Sequence, residues 1–377
     1  MDSVVEMSPR GAGGKAADAA APLTLGASLA LDQWRGLALL LVLAAHGFAL
    51  TNRAWGLGRI GVNLFFFISG ILVFRSLVPG IGDSPRKWAV SFWRRRLRRL
   101  LPAFLVYVAA MIPVVALMEG PDGLAHFGWS LPYTLTFTAN YPVGIHLSQH
   151  HLWSLCCELQ FYLLAPFLFL AGGTRPLRRV AVWGGILAAT VVLGLLPSLV
   201  GPIRENGHNH LEFAVWPLVL GFAAEAAKRR FRLSRALLRI GVAAGVTGLV
   251  VALVLISGRF RSENLAVMLG TGVLPACFLC YQGNLVLDGP LGRLSAWLGK
   301  RTYSIYLWQE PLTLCGYLPD LLRPLGALVA IPLGALSYAW LEKPFSSTIH
   351  RRPAPAPEGT AAAAAPAPLA PCTGQQP

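Results

Sequence analysis

Charge is what this chain has least of. Only 13% of its 377 residues are Asp, Glu, Lys or Arg, and only 17 of them are acidic. Soluble domains carry about 25% charged residues, so the composition does not fit a water-solvated globule. Cysteine is also sparse. Five of the six cysteines (Cys156, Cys157, Cys277, Cys280 and Cys315, but not Cys372) lie in apolar segments. There they act as small hydrophobes, and no disulfide framework is indicated. Cys277-x-x-Cys280 lacks the second pair or nearby histidine that a metal or redox site would need. No basic stretch leads into a short apolar core with a cleavage site, so no signal peptide is expected. No motif is duplicated between the two halves, and no appended soluble hydrolase-like domain is expected.

Long apolar runs are what the chain does have, with 55% of its residues hydrophobic. Ten runs are long enough to cross a bilayer: about 34–52, 59–78, 98–118, 152–171, 178–200, 211–227, 236–257, 263–287, 293–317 and 323–345. The expected fold class is all-α, a polytopic membrane bundle of about ten transmembrane helices spanning 29–350. Residues 1–28 are rich in Ala and Gly and are expected to be disordered, as is the Ala/Pro tail 351–377.

The net charge of +15 is explained by topology. With the N-terminus in the cytoplasm, 26 of the 32 Lys and Arg fall on the inner side. Only Arg53, Arg59, Arg204, Arg259, Arg261 and Arg323 fall outside. This segregation predicts both termini inside and a multi-pass protein of the cell inner (cytoplasmic) membrane. No basic face on a soluble module is visible, so nucleic acid is not an expected partner.

Within the first run, "LDQWRGLALLLVLAAHGFAL" (31–50), three ionisable residues interrupt the hydrocarbon. Arg35 and His46 are eleven residues apart, which on a helix is about 20° in azimuth and about 16 Å along the axis. Asp32 lies about 40° from His46 on the same stripe. An ionisable group inside a membrane is costly and marks function by default. Asn63 in the second run and Glu158 in the fourth come to a similar depth, so His46, Asn63 and Glu158 can meet if those spans pack together. A carboxylate beside a buried histidine keeps it basic and oriented, as a general base requires. The basic run "RRRLRR" (94–99) is read either as a positive-inside anchor or as an anion site.

Over about 31–348 the chain resembles the acyltransferase 3 family of integral-membrane O-acyltransferases. "LDQWRGLALLLVLAAH" is similar to the family's opening motif, with its Arg and a His eleven residues on. "GVNLFFFISGIL" resembles the second-span motif, and "FWRRRLRRLLPAF" the basic entry to the third, with Arg95, Arg96 and Arg99 at the usual offsets from Pro102. "HLWSLCCELQFYLLAP" matches a Trp-Ser-Leu-x-x-Glu-x-x-Phe-Tyr motif at Trp153, Ser154, Leu155, Glu158, Phe161 and Tyr162. "LGKRTYSIYLWQEPL" and "LSYAWLEKPF" match two C-terminal motifs. The chain departs from the pattern at Asn63 (usually an acid), Leu159 (often Glu) and Gln309 (commonly His).

The resemblance implies acyl transfer, with an acetyl group expected, from cytoplasmic acyl-CoA to a hydroxyl of a cell-envelope or extracellular saccharide or a lipid-linked glycan. Acyl-CoA would be a donor substrate, with no permanently bound cofactor and no metal. His46, Glu158 and Arg35 are the expected catalytic residues. Arg35, Arg95, Arg96 and Arg99 would meet the CoA phosphates, a role suited to the bidentate guanidinium. Asp32, Asn63, Ser69, Trp153, Tyr162 and Tyr303 are the expected supporting set. The competing reading is a multi-span glycan or lipid transporter or flippase, since intramembrane Arg, Glu and His also mark transport pathways. That reading predicts internal repeats.

Overall fold

The computed structural model describes residues 23–47, 55–78, 84–173, 176–200, 209–227, 235–257 and 272–347. The expected disordered segments therefore lie outside the described residues except for 23–28, as do 48–52 of the first expected span and 263–271 of the eighth. No strand occurs among the described residues.

Helix α1 (Leu25–Gly47) opens at Thr24, whose Oγ1 accepts from the Ala27 amide at 3.1 Å. It is followed by α2 (Trp55–Leu77) and by α3 (Pro85–Leu135). Helix α3 begins well before the expected boundary at 98. Ser84 caps it by accepting from the Lys87 amide, and Pro85 occupies the first turn, where its missing N–H costs nothing. The basic run 94–99 is thus helical throughout. At Gly120 the backbone turns to φ 72, with Pro121 next, and α3 bends there.

A short α4 (Leu147–His150) leads into α5 (Trp153–Ala171) and α6 (Pro176–Val200). The expected span 211–227 is broken at Val215 into α7 (Leu211–Ala214) and α8 (Trp216–Ala227). Then come α9 (Arg235–Ser257), α10 (Val273–Gly283) and α11 (Gly289–Thr313). Helix α12 (Arg323–Ser337) runs through one π turn, Tyr338–Glu342, into α13 (Lys343–Ser347).

Five helical segments are long and apolar enough to cross a membrane: Leu25–Gly47, Gly56–Leu77, Pro85–Leu135, Leu147–Ala171 and Asp320–Phe345. The chain is therefore a multi-pass membrane protein. Helix α11, with 25 residues, is long enough to cross, but Arg293, Lys300, Arg301 and Glu310 lie within it.

Two close helix crossings organise the bundle. Helices α1 and α11 pack most extensively of all pairs, followed by α2 with α8. A Cβ on Gly36 would fall 2.0 Å from the Ser295 carbonyl oxygen, and one on Gly299 1.8 Å from that of Asp32. Gly70 and Gly221 play the same part between α2 and α8, at 2.1 Å from Leu218 O and 2.0 Å from Phe67 O. Small residues let backbones approach where lipid supplies no hydrophobic drive for association. Aromatic rings fill the space between α2, α3, α5 and α8, where Phe74 meets Phe222 edge-on at 5.1 Å. The opposite faces carry exposed apolar side chains such as Leu105 and Ile112 on α3 and Leu163 and Phe167 on α5. Hydrocarbon, not water, suits such a surface.

Candidate active site

A cavity with about 680 Å³ of empty space, including its open mouth, lies where α1, α2, α3, α5 and α11 converge. Five of the residues singled out from sequence line it: Arg35, Ser69, Arg99, Glu158 and Tyr303. Val62, Phe65, Phe66, Leu155 and Leu307 supply apolar wall, and Ser154 and Tyr306 also face it.

The two arginines are held differently. Arg99 projects from α3 and is anchored by Glu342 of the π turn, whose carboxylate takes bonds from Nε and Nη2 at 3.1 Å. Ser304 donates to the other Glu342 oxygen at 3.1 Å. Arg35 has no described carboxylate within ion-pair distance; the charged groups facing it are Arg99, Asp32 and Glu158. Asp32 instead sits 4.0 Å from Lys300 Nζ. Arg35 is thus a half-buried guanidinium at a cavity wall with capacity for an anion.

Glu158 is engaged by hydroxyls. Ser69 Oγ donates to its Oε1, and Tyr162 Oη donates to the same oxygen at 2.5 Å. Ser69 and Tyr162 are themselves 3.1 Å apart. Tyr303 Oη donates to the Leu100 carbonyl at 2.8 Å, tying α11 to α3. The remaining basic residues of α3 take other places. Arg96 donates to Leu72 O and Ser76 Oγ and lies 5.2 Å over the Tyr162 ring. Arg95 bonds one turn back to Ser91 at 2.5 Å in an exposed position and is not among the cavity-lining residues.

His46 is buried at the other end of α1, away from this lining. Its Nδ1 is 2.7 Å from Gln309 Oε1 and 3.4 Å from Glu310 Oε2. Gln309 Nε2 donates to Glu310 Oε2 at 3.1 Å, and Thr313 Oγ1 donates to the Gln309 carbonyl at 2.7 Å and to its Oε1 at 3.3 Å. The packing therefore does not join His46, Asn63 and Glu158: Asn63 is buried on α2 with no hydrogen bond to either, and Glu158 pairs with Ser69 and Tyr162. Trp153 stands beside Arg59, whose guanidinium carbon is 4.8 Å above its ring. Tyr306 of the cavity wall is bonded to Ser154 Oγ at 2.8 Å and to the His151 carbonyl at 2.9 Å.

Glu310 and Glu342 were not singled out from sequence. Glu310 carried a signal, being an ionisable residue in an expected span, the same feature that marks His46. Glu342 lies in an expected span too, but nothing in its spacing points to Arg99, 243 residues away. Among the described residues, no group of three His, Cys, Asp or Glu is placed to hold a metal ion.

A family model described as "Acyltransferase domain" matches residues 28–340. Among curated proteins, the chain is 27% identical over 354 residues to YrhL of Bacillus subtilis (strain 168), named as a candidate peptidoglycan O-acetyltransferase. It is 26% identical over 349 residues to the peptidoglycan O-acetyltransferase OatA of Listeria monocytogenes, and 24% identical over 359 to the O-acetyltransferase OatA of Staphylococcus aureus. Each alignment covers 83% of this chain but only 54%, 55% and 56% of these relatives, so the chain spans about half their length. No solved structure matches it.

Proposed function

The chain belongs to the acyltransferase 3 family, and from that premise we propose that it is a membrane O-acyltransferase moving an acetyl group from cytoplasmic acetyl-CoA to a hydroxyl of an envelope saccharide or lipid-linked glycan. The observation that carries this reading is the double use of α1. Its Arg35 end lines a cavity with Arg99 and Glu158, while its His46 end lies about 16 Å further along. That distance is of the order of an extended pantetheine arm. Arg35 and Arg99 meet the donor's phosphates at the cavity mouth, and the thioester reaches toward His46.

His46 accepts the proton of the acceptor hydroxyl as its oxygen attacks the thioester carbonyl carbon. The C–S bond then breaks, and the proton passes from the imidazole to the departing thiolate, leaving an ester and free CoA. Tyr306 lines the cavity one turn before Glu310 on α11, and its bond to Ser154 opens as the donor arm enters. The reading includes ten spans with both termini inside, in the inner membrane, as the distribution of Lys and Arg supports. It draws its acceptor class from the named activities of the relatives.

The test is mass spectrometry of cell-surface glycans and lipids with and without the gene, together with label transfer from acetyl-CoA by the purified full chain. One acetyl group gained per acceptor supports the reading. Unlabelled glycan that merely changes sides of the membrane would replace it with transport.

A further inference from the structure

The environment of His46 specifies which of its nitrogens is the base. Glu310 is 1% exposed and Gln309 fully buried, both on α11. The contact with Glu310 sets which way the Gln309 amide points. Its NH2 faces the Glu310 carboxylate, which accepts, while the Thr313 hydroxyl gives its proton to the Gln309 backbone carbonyl. The oxygen that then meets His46 Nδ1 at 2.7 Å can only accept, so Nδ1 carries the proton. Nε2 is left as the acceptor nitrogen of the ring. Among the described residues, His46 is the one positively chargeable group within ion-pair distance of Glu310.

We propose that Gln309 and Glu310 are the positioning pair of the base: Gln309 holds His46 in the Nδ1–H tautomer, and the Glu310 carboxylate stabilises the imidazolium formed when Nε2 takes the acceptor proton. This rests on the acyl-transfer reading above and deepens it. A buried acid on Nδ1 that orients a histidine and steadies its cation is a general device of proton-transfer catalysis. Glu158 does not serve it: its Oε1 accepts from Ser69 and Tyr162 on the cavity side, and the carboxylate in ion-pair reach of His46 Nδ1 is that of Glu310. No further co-reactant is needed: the proton moves from acceptor oxygen to Nε2 and then to the thiolate. Gly58 at the head of α2 bears on the same nitrogen, since a Cβ there would lie 3.8 Å from Nε2. The other titratable groups facing the cluster are His150 and His151 toward His46, and Tyr107, Tyr306 and Cys315 toward Glu310.

The experiment uses the purified full chain in lipid nanodiscs, with acetyl-CoA as donor and a disaccharide fragment of peptidoglycan as acceptor probe. Glu310→Gln is expected to lower kcat about ten- to hundredfold, part of what a general base contributes, with the donor KM unchanged. Glu310→Asp is expected to recover part of that loss. Glu158→Gln is expected to act chiefly on the donor KM. A second readout needs no turnover: the imidazole 15N shifts of labelled histidine, with His46 assigned by difference from His46→Gln. Wild type is expected to show Nδ1–H, and Gln309→Ala to move the population toward Nε2–H. An Nε2–H tautomer in wild type overturns the proposal whether or not any variant folds. So does full kcat in a folded Glu310→Gln. If wild type shows the Nδ1–H tautomer but transfers no acetyl group, the acyl-transfer reading fails while the positioning geometry stands.

Discussion

At the Arg35 end of α1 the polar groups surround an open cavity, and at the His46 end they close on one another. Arg35 faces Glu158 and Arg99 across space, with room for a ligand between them. His46, Gln309, Glu310 and Thr313 instead satisfy each other at 2.7–3.4 Å. A charged group left facing a cavity retains its capacity to bind something that arrives. A buried network in low dielectric is rigid, and the loss of one member strands the others. The first arrangement suits recognition of a charged donor, and the second suits the fixed orientation of one proton-transferring ring.

The strongest way to break this comparison is at the histidine. His46→Gln keeps a hydrogen-bonding side chain but cannot take a proton, so turnover should fall by at least about a hundredfold while membrane protein level holds. Retention of full turnover by well-expressed protein would reduce His46 to packing.

Next comes the cavity end. Arg35→Ala removes a cation from the wall, and charge-assisted bonds are each worth about 1.5–3 kcal/mol, so the donor KM should rise about ten- to hundredfold. Arg95→Ala, which loses only its bond to Ser91, should leave the donor KM within about twofold, since an isolated exposed bond contributes little. Equal effects of the two in donor titrations would mean that the exposed face of α3, and not the cavity, receives the donor.

Gly299→Ala tests what holds the two ends in register. A Cβ there would fall 1.8 Å from Asp32 O, and overpacking of this kind costs about 1–3 kcal/mol, so thermal unfolding of the purified protein should shift down. Because Gln309 and Glu310 share α11 with Gly299, kcat should fall as well. An unchanged melting temperature would show that the crossing is looser than 1.8 Å implies.

The smallest effect is expected at Tyr162→Phe. One hydroxyl bond to Glu158 is lost while Ser69 still donates, a change of about 1 kcal/mol, or roughly fivefold in donor affinity. No change at all in donor binding would place Glu158 outside the donor site.

Much of the cavity end was legible in the residues. Helical period alone puts Asp32, Arg35 and His46 on one stripe, because eleven residues are close to three full turns. Intramembrane ionisable groups are conspicuous in hydrocarbon, and Glu158 stood out for that reason, while Arg99 stood out as part of the basic run 94–99. The basic run on α3 was visible as a cluster, but not how it divides. Residues 95, 96 and 99 reach different partners from one helix, and only the neighbours α2, α5 and the π turn reveal which of them meets the cavity.

The partner of His46 was a different matter. Depth along the axis made Glu158 a reasonable choice, but depth fixes one coordinate of three. Which carboxylate reaches the ring depends on which helix lies against that face of α1. That helix is α11, drawn in where Gly36 and Gly299 let the two backbones nearly touch.

By itself, the sequence determined that this is a helical membrane protein and that Arg35 and His46 share a face. These follow from composition and from the 3.6-residue period, which are local properties. Only the tertiary structure decided that Arg99 is anchored by Glu342, that Glu158 belongs to the cavity, and that Gln309 and Glu310 hold the histidine. Those pairings join residues more than two hundred positions apart, or choose among several groups at one depth. They are set by how closely particular helices approach, and a helical period contains no information about its neighbour.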